Sequence, residues 1–426
     1  MRLLASITMV GLTHITIAAE LELSRTGQVT VRTIPLNAIV SLEVTNALTG
    51  ICTNWPAVRN FYSAEGFSIA PRVELTNSAE YFRLRVFDLN GANGFSNLVT
   101  AYSTLTTLAG AGGVTGGAIN KWQSSFENGP ATNALLSRPH IALSDDAGNI
   151  YIADKDAHGI RKVRPDGTIV TVAGTSVPGD GPNTATLATA VALNEPNGLW
   201  LRGDGTFYIL DLVNSKVRKV GTNGIATTLF TVPGGIVSGR GLWVSDDETM
   251  AFVASGTVLK RWTLAGGVEN YSTGYSELGN ISIGFSGMAV TDRGAHSVYA
   301  LVDAGDIQPL KIRIAGNGST GAGIDGAYAT NCPLNQVRGV WTLPTGGLLL
   351  ATDNGSQVWY VDLDQRIHLL LNGSTGHTHS GDGAYFYDPS AQKVSKVRQV
   401  TLDREGNMLI TEHDAGYVRK VRFLPR

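Results

Sequence analysis

A stretch running from Pro139 to Gly174 recurs along this chain, and a chain built from copies of it has few ways to fold. It reads PHIALSDDAGNIYIADKDAHGIRKVRPDGTIVTVAG. Four short apolar runs, Ile141–Leu143, Ile150–Ala153, Ile160–Val163 and Ile169–Val172, alternate with Asp-Asp-Ala-Gly, a polar turn through His158, and Pro165-Asp166-Gly167. Short Val- and Ile-rich runs bounded by Gly, Asp and Pro are strands joined by tight turns. Four in succession make an antiparallel meander. Such a sheet cannot bury both faces by itself and needs copies of itself alongside.

The copies are present. Without a gap, Pro139 aligns with Pro196, Gly148 with Gly205, Tyr151 with Tyr208, Asp154 with Asp211, and Arg161-Lys162-Val163 with Arg218-Lys219-Val220. The last unit aligns as well: Gly406-Asn407 falls on Gly148-Asn149, Glu412 on Asp154, and Arg419-Lys420-Val421 on the basic strand. A further copy, shorter by one residue, runs from Arg338 through Gly347 and Asp353 to Val361. Degenerate copies fill Gly239–Trp262 and Gly287–Ile314. The units are spaced by about 43 to 59 residues, the length of a propeller blade with variable loops. The pattern P-x-G-φ…G-N-φ-Y-φ-A-D…φ-R-K-V…G-x-φ-x-T-φ-A-G resembles the NHL repeat. The resemblance implies an NHL-like six-bladed β-propeller of a secreted bacterial protein, occupying residues 103–426. The last unit stops after a third strand, Tyr417–Phe423. The missing T-φ-T-φ-A-G pattern stands before the first unit at Leu105–Gly110. Strand 104–109 is therefore expected to complete the last blade and leave the ring without an open edge.

With 426 residues the chain is too long for one ordinary core unless it is such an array. Its net charge of −2 offers no field to steer nucleic acid. Met1–Ala19 (MRLLASITMVGLTHITIAA) has the basic start, apolar run and small-residue close of a signal peptide, the alternative being a buried first strand. No other stretch reaches the roughly 20 apolar residues of a membrane span. Secreted or periplasmic location is the expectation. Residues 20–100 read as a small β-sandwich-like domain with strands at Val29–Ile34, Val40–Val44, Val73–Leu75 and Tyr81–Phe87. Trp55 and Phe61 belong to its expected core, and Gly91–Tyr102 is the expected linker. The two cysteines, Cys52 and Cys332, are too few for a disulfide framework or a cysteine-rich metal site.

Four long loops, Gly110–Arg138, Gly174–Glu195, Gly316–Val337 and Asn372–Val397, precede blades. They carry Asn128-Gly129, Asp180-Gly181, Asp325-Gly326 and Asp382-Gly383, which read either as ligand loops or as turn chemistry. Their aromatics Trp122, Phe126, Tyr328, Tyr385 and Phe386 are candidate ligand anchors on a loop face, or simply cover the blades. Asp154, Asp211, Asp353 and Glu412 share one column at the end of the second strand. They could hold calcium as in lactonase propellers, or bond the following turn. His377 and His379, in one loop, could be metal ligands, whereas neighbours Glu412 and His413 point to opposite faces of a strand. Trp200, Trp243 and Trp341 occupy one column on the innermost strands and could line the channel mouth or pack between blades. The Arg-Lys-Val strands suggest a basic rim or, more plainly, a solvated strand of both signs.

The expectation is an exported, non-catalytic propeller without a cofactor, binding an extracellular protein or glycan through its loop face. The alternative is a divalent-metal-dependent hydrolase or lyase resembling gluconolactonase-type propellers.

Overall fold

The structure, a computed structural model, describes residues 7–10, 20–23, 29–32, 37–45, 57–63, 81–113, 119–284, 287–303, 308–373, 379–387 and 393–424. From residue 105 onward it is a closed ring of six antiparallel sheets. Blade one is the meander Pro139–Ser144, Ile150–Asp154, Gly159–Val163 and Thr168–Ala173. The innermost strands of the other blades are Pro196–Leu201, Leu242–Val244, Leu278–Gly284, Val337–Thr342 and Val397–Leu402. Each inner strand touches the next around the ring, and Val397–Leu402 returns to Pro139–Ser144. Both faces of these strands are covered, and their residues are almost all buried. Cross-blade hydrogen bonds stitch the seams. Thr401 Oγ1 donates to the Ala142 carbonyl (2.7 Å), and Gln399 Nε2 to the Val340 carbonyl (3.1 Å).

The outermost strand of blade six is Leu105–Ala109, paired antiparallel with Tyr417–Val421. The terminal glycine of the repeat signature has a clear cause. Gly110, Gly174 and Gly316 have φ of +100°, +92° and +78°, and a Cβ there would stand 2.1–2.2 Å from the carbonyls of Gly416, His158 and His296. Only glycine fits a left-handed position pressed against a neighbouring backbone.

The four long loops do not rise over the ring. Gly129–Pro130 pairs with the outer strand of blade one and Thr186–Leu187 with that of blade two. Tyr328 bridges to Arg366, and Tyr385 to Thr104. Each loop thus lies along the outer edge of the blade it precedes.

The N-terminal part holds a four-stranded sheet in the order Ile7–Val10, Tyr81–Asp88, Ala38–Thr45, Ala57–Ser63, and a separate hairpin of Glu20–Leu23 with Val29–Arg32. Ile7–Val10, inside the expected leader, runs parallel to Tyr81–Asp88. Val73–Leu75, Trp55 and Cys52 lie outside the described residues, and Ala57–Ser63 is a strand that its sequence does not announce. The sheet is buried on both faces at one end: Leu84 and Val86 on one side, Ile39, Tyr62 and Phe87 on the other. The second set joins one core with Leu349, Val358 and Val400 of blades five and six. Tyr62 stacks on Phe423 and shares a 2.8 Å hydrogen bond with the Tyr102 hydroxyl, which bonds the Gly406 carbonyl (2.9 Å).

The expected linker is in fact a 3-10 turn, Gly91–Asn93, and a helix, Gly94–Thr100. Phe95, Leu98 and Val99 fall at i, i+3 and i+4, and that stripe docks on the propeller. Phe95 stacks on His368 at 4.2 Å, and Tyr385 Oη donates to the Val99 carbonyl at 2.8 Å. A local turn signal lost to tertiary burial.

Candidate functional site

The acids of the second-strand column are sealed by arginine. Asp154, Asp211 and Glu412 are fully buried and lie 3.3, 2.7 and 3.2 Å from Arg161, Arg218 and Arg419. These are the arginines of the Arg-Lys-Val strands, at most 1% exposed, so that motif is an internal clasp and not a basic rim. Each acid also accepts a backbone N–H that closes the turn before the inner strand: Ser137, Asn194 and Ser395 donate at 2.5, 2.8 and 2.9 Å. The Asp-Gly loops reach the same arginines. Asp180 takes Arg218 and Lys216, and Asp382 takes Arg419 and the Thr107 hydroxyl. Arg161 has Trp122 over its guanidinium at 3.9 Å instead. Asp325 caps the Leu369 N–H at 2.9 Å.

Two members of the column change. Thr352, not Asp353, pairs with Val337 as Asp154 pairs with Pro139. Asp353 stands one residue further on and faces the channel, where Arg338 and Arg398 hold it at 2.7 and 2.9 Å. Asp292, absent from the sequence reading, occupies the position in blade four and accepts the Ser276 and Glu277 N–H groups. Asp154, Asp211, Asp353 and Glu412 therefore do not share a point. Among the described residues no three His, Cys, Asp or Glu side chains are grouped to hold a metal ion. His379 stacks on Tyr417 and bonds Glu412 at 3.1 Å; His377 lies outside the described residues. Cys332 is a buried free thiol.

The loop aromatics are distributed around the perimeter. Trp122 and Phe126 pack edge to face on blade one. Tyr328, 52% exposed, lies against Arg366 on blade five. Tyr385 is partly buried and Phe386 wholly buried in the core shared with the N-terminal sheet. Phe386 has no free face to present to a ligand.

A cavity of about 1180 Å³ opens instead at the opposite end of the channel, where the inner strands finish. Its walls include Leu143, Ser144, Thr342 and Leu343 of the propeller and Arg59–Tyr62 of the N-terminal sheet. Trp200 and Trp341 line it. Trp341 packs against clusters from blades five and six and from blades one and two, so its indole crosses the lumen. The Trp200 Nε1–H is enclosed and has no hydrogen-bond partner among the described residues. Trp243, in the same column, packs on Phe252. Charges of both signs rim the cavity, among them Arg59, Arg202, Arg404, Asp146, Asp246 and Glu405. The N-terminal sheet therefore forms one wall of a pocket, a role that no motif signals.

Residues 111–221, which hold blade one, the first three strands of blade two and the loops before them, match the Teneurin NHL domain. The propeller is NHL-like. A plant relative, the chloroplastic Protein SUPPRESSOR OF QUENCHING 1 of Arabidopsis thaliana, is 28% identical over 173 residues, covering 39% of this chain and 15% of its own length. Among solved structures, a protein of unknown function from Bacteroides thetaiotaomicron is similar over 96% of this chain and 98% of its own (TM-score 0.60, 12% identity). An auxiliary nutrient binding protein from Bacteroides ovatus is similar over 92% of this chain and 94% of its own (TM-score 0.56, 12% identity). A gluconolactonase of Xanthomonas campestris is similar over 76% of this chain and 91% of its own (TM-score 0.50, 13% identity). Identities this low show likeness of fold. The NHL-like propeller with its N-terminal sheet is covered almost whole by the first two structures.

Proposed function

We propose that this chain is a non-catalytic binding protein that takes a neutral, polar small molecule of the glycan class in the cavity between Ala57–Ser63 and the channel mouth. The observation that carries this is the pairing of two indoles, Trp200 and Trp341, with a mixed-charge polar rim in one cavity of about 1180 Å³. Aromatic floors with a few placed polar groups are the usual make-up of small-ligand sites. A rim of both signs suits hydroxyl groups better than a net charge. The likeness to nutrient binding proteins spans both parts of the chain, which supports a site made by both. The metal-hydrolase reading lacks support from the acid column, because its arginine clasps occupy the ligand lone pairs.

Calorimetry with a panel of neutral mono- and oligosaccharides tests the reading. Saturable binding should weaken at least tenfold in Trp200→Ala and Trp341→Ala. Trp341 also packs the lumen, so Arg59→Ala and Asp146→Asn, at the rim, should weaken binding with an unchanged melting temperature. Calcium and chelator should make no difference. Binding untouched by all four substitutions, or calcium-dependent lactone turnover abolished by Glu412→Gln, overturns the proposal.

We also place the protein outside the cytoplasm, on the charge and apolar pattern of Met1–Ala19. N-terminal sequencing of the protein exported by a bacterial host should find a first residue at Ala19 or Glu20. An intact Met1 in soluble cytoplasmic material is the contrary result.

A further inference from the structure

The other end of the channel carries a different chemistry. In five of the six blades the inner strand begins with a break in its ladder register: between Pro139 and Ala142, Pro196 and Gly198, Leu278 and Ile281, Val337 and Gly339, Val397 and Gln399. A bulge leaves one residue unpaired and re-aims its side chain. The residue just before it is left-handed in four blades: Arg138, Glu195, Gln336 and Lys396 have φ of 63°, 54°, 58° and 45°, two residues ahead of the bulge position. The bulge position holds His140, Asn197, Gly279, Arg338 and Arg398. In blade three Arg240 stands at the same place, after Ser238 with φ 48°. One level of the lumen is therefore ringed by three arginines, a histidine, an asparagine and a glycine.

This ring is poorly neutralised. Arg338 and Arg398 share a single carboxylate, Asp353. Arg398 also meets His413 Nδ1 at 3.1 Å and lies 4.0 Å from Asp414, which His413 and Arg138 share. Arg293, the next cation outward, is matched by Glu277. Among the described residues Arg240 makes one side-chain hydrogen bond, Nη1 to the Ser238 carbonyl two residues back at 3.5 Å.

Several polar atoms here are enclosed without a hydrogen-bond partner among the described residues. They are both nitrogens of His140, Asn197 Oδ1, Arg240 Nε, Arg398 Nε and Arg338 Nη1. His140 is 3% exposed, stacked on His413 at 4.7 Å. Burial followed by repulsion from Arg338, Arg398 and Arg293 holds the Arg240 guanidinium well below its ordinary range. Burial also pushes Arg338 and Arg398 down to about 10. Clustered cations at this depth lack the charge partner that buried ions require.

We propose that the ring of Arg240, Arg338 and Arg398, completed by Asn197 and His140, binds an oxyanionic group, a carboxylate or a phosphate- or sulfate-type anion, in the lumen. Guanidinium forks match both geometries. The site lies at the opposite end of the channel from the cavity of Trp200 and Trp341 and is independent of it.

The test is calorimetry and thermal shift on the whole protein at fixed ionic strength, with chloride exchanged for sulfate, inorganic phosphate or glucuronate. One saturable site per chain is expected for at least one of them. Preference for glucuronate names a carboxylate ligand; preference for phosphate or sulfate names a tetrahedral one. Arg240→Gln and Arg398→Gln should each weaken binding at least tenfold, whereas Lys162→Gln on the third strand of blade one should leave it unchanged. Because an arginine variant can misfold, Asn197→Asp gives a second readout. It supplies the missing carboxylate, so it should raise the melting temperature without added anion and abolish the anion-induced shift. No saturable binding of any of the three anions, or an anion-induced shift that survives both Asn197→Asp and Arg398→Gln, overturns the proposal.

Discussion

Leu105→Pro should loosen the strand that closes the ring. Leu105 is fully buried, its N–H donates to the Ala384 carbonyl at 3.1 Å, and it pairs with Val421 in the seam of blade six. Proline removes that donor, and most of the leucine side chain is lost from the core that also holds Tyr102, Phe386 and Phe423. Together the losses amount to about 4–6 kcal/mol. In a domain of this size the melting temperature should fall by on the order of 10 °C. The unpaired edge of Tyr417–Val421 should then promote association above the transition. Thr106→Ala, on the exposed side of the same strand, should change little. Scanning calorimetry decides it: a Leu105→Pro variant melting within about 2 °C of the parent would show that the seam does not hold the ring.

Arg161→Leu should be almost as damaging, for an electrostatic reason. Arg161 is enclosed between Asp154, the Ala157 carbonyl (3.2 Å), the Ser176 hydroxyl (3.0 Å) and the Trp122 ring. Its loss strands a carboxylate in the blade, which costs about 3–5 kcal/mol. Replacing both partners, Asp154→Leu with Arg161→Leu, should recover much of that loss, since a dry apolar pair has no charge to desolvate. The single variant should also show a distinctive pH dependence. Burial already pushes the Asp154 carboxyl up to about 6, with Arg161 pulling it back down, so removing the arginine raises it further. A folded-state value above the unfolded one means that the folded state binds the proton more tightly. The stability deficit of Arg161→Leu relative to the parent should therefore be full above the variant's folded value, shrink as pH falls through it, and be largely gone below the parent's value of about 6. Denaturant titrations at pH 8 and pH 5 measure this. An equal deficit at both, or a double variant no better than the single, would show that the arginine acts by packing and not by charge.

Blade five shows the same clasp being given up as a unit. Thr352 stands where the acid would be, and Trp359 takes the place of the arginine, paired with Leu350 as Arg161 is paired with Ile152. One change without the other would leave a buried charge alone. In the sequence the two columns are visible separately, an acid at the strand end and the Arg-Lys-Val motif seven residues on. Nothing in the spacing says that the arginine turns inward. That follows from the antiparallel register of two adjacent strands, which sets Arg161 and Asp154 on one face. The same register moved Asp353 out of the column and brought Asp292 into it.

The anion ring stands in the sequence at the second residue of the inner strands, in Pro-His140-Ile, Pro-Asn197-Gly, Val-Arg338-Gly and Val-Arg398-Gln, with Arg240 in Gly-Arg-Gly. Read along the chain these are scattered polar residues with nothing to join them. Only closure of six blades puts them at one level of one lumen.

Local chemistry alone settled the strands, their turns and the blade repeat. Alternation of apolar runs with Gly, Asp and Pro is a property of neighbouring residues, and glycines such as Gly110 and Gly174 carry it at fixed places. What faces what was decided by tertiary structure. The long loops lie along blade edges because the outer strands offer unpaired backbone groups there. The segment after Asn93 is a helix because Phe95, Leu98 and Val99 find a core to enter on blades five and six. The cavity floored by Trp200 and Trp341 exists because the N-terminal sheet docks across the channel mouth, and that contact joins residues some 280 positions apart in the chain, from Tyr62 to Leu343, as one hydrophobic cluster.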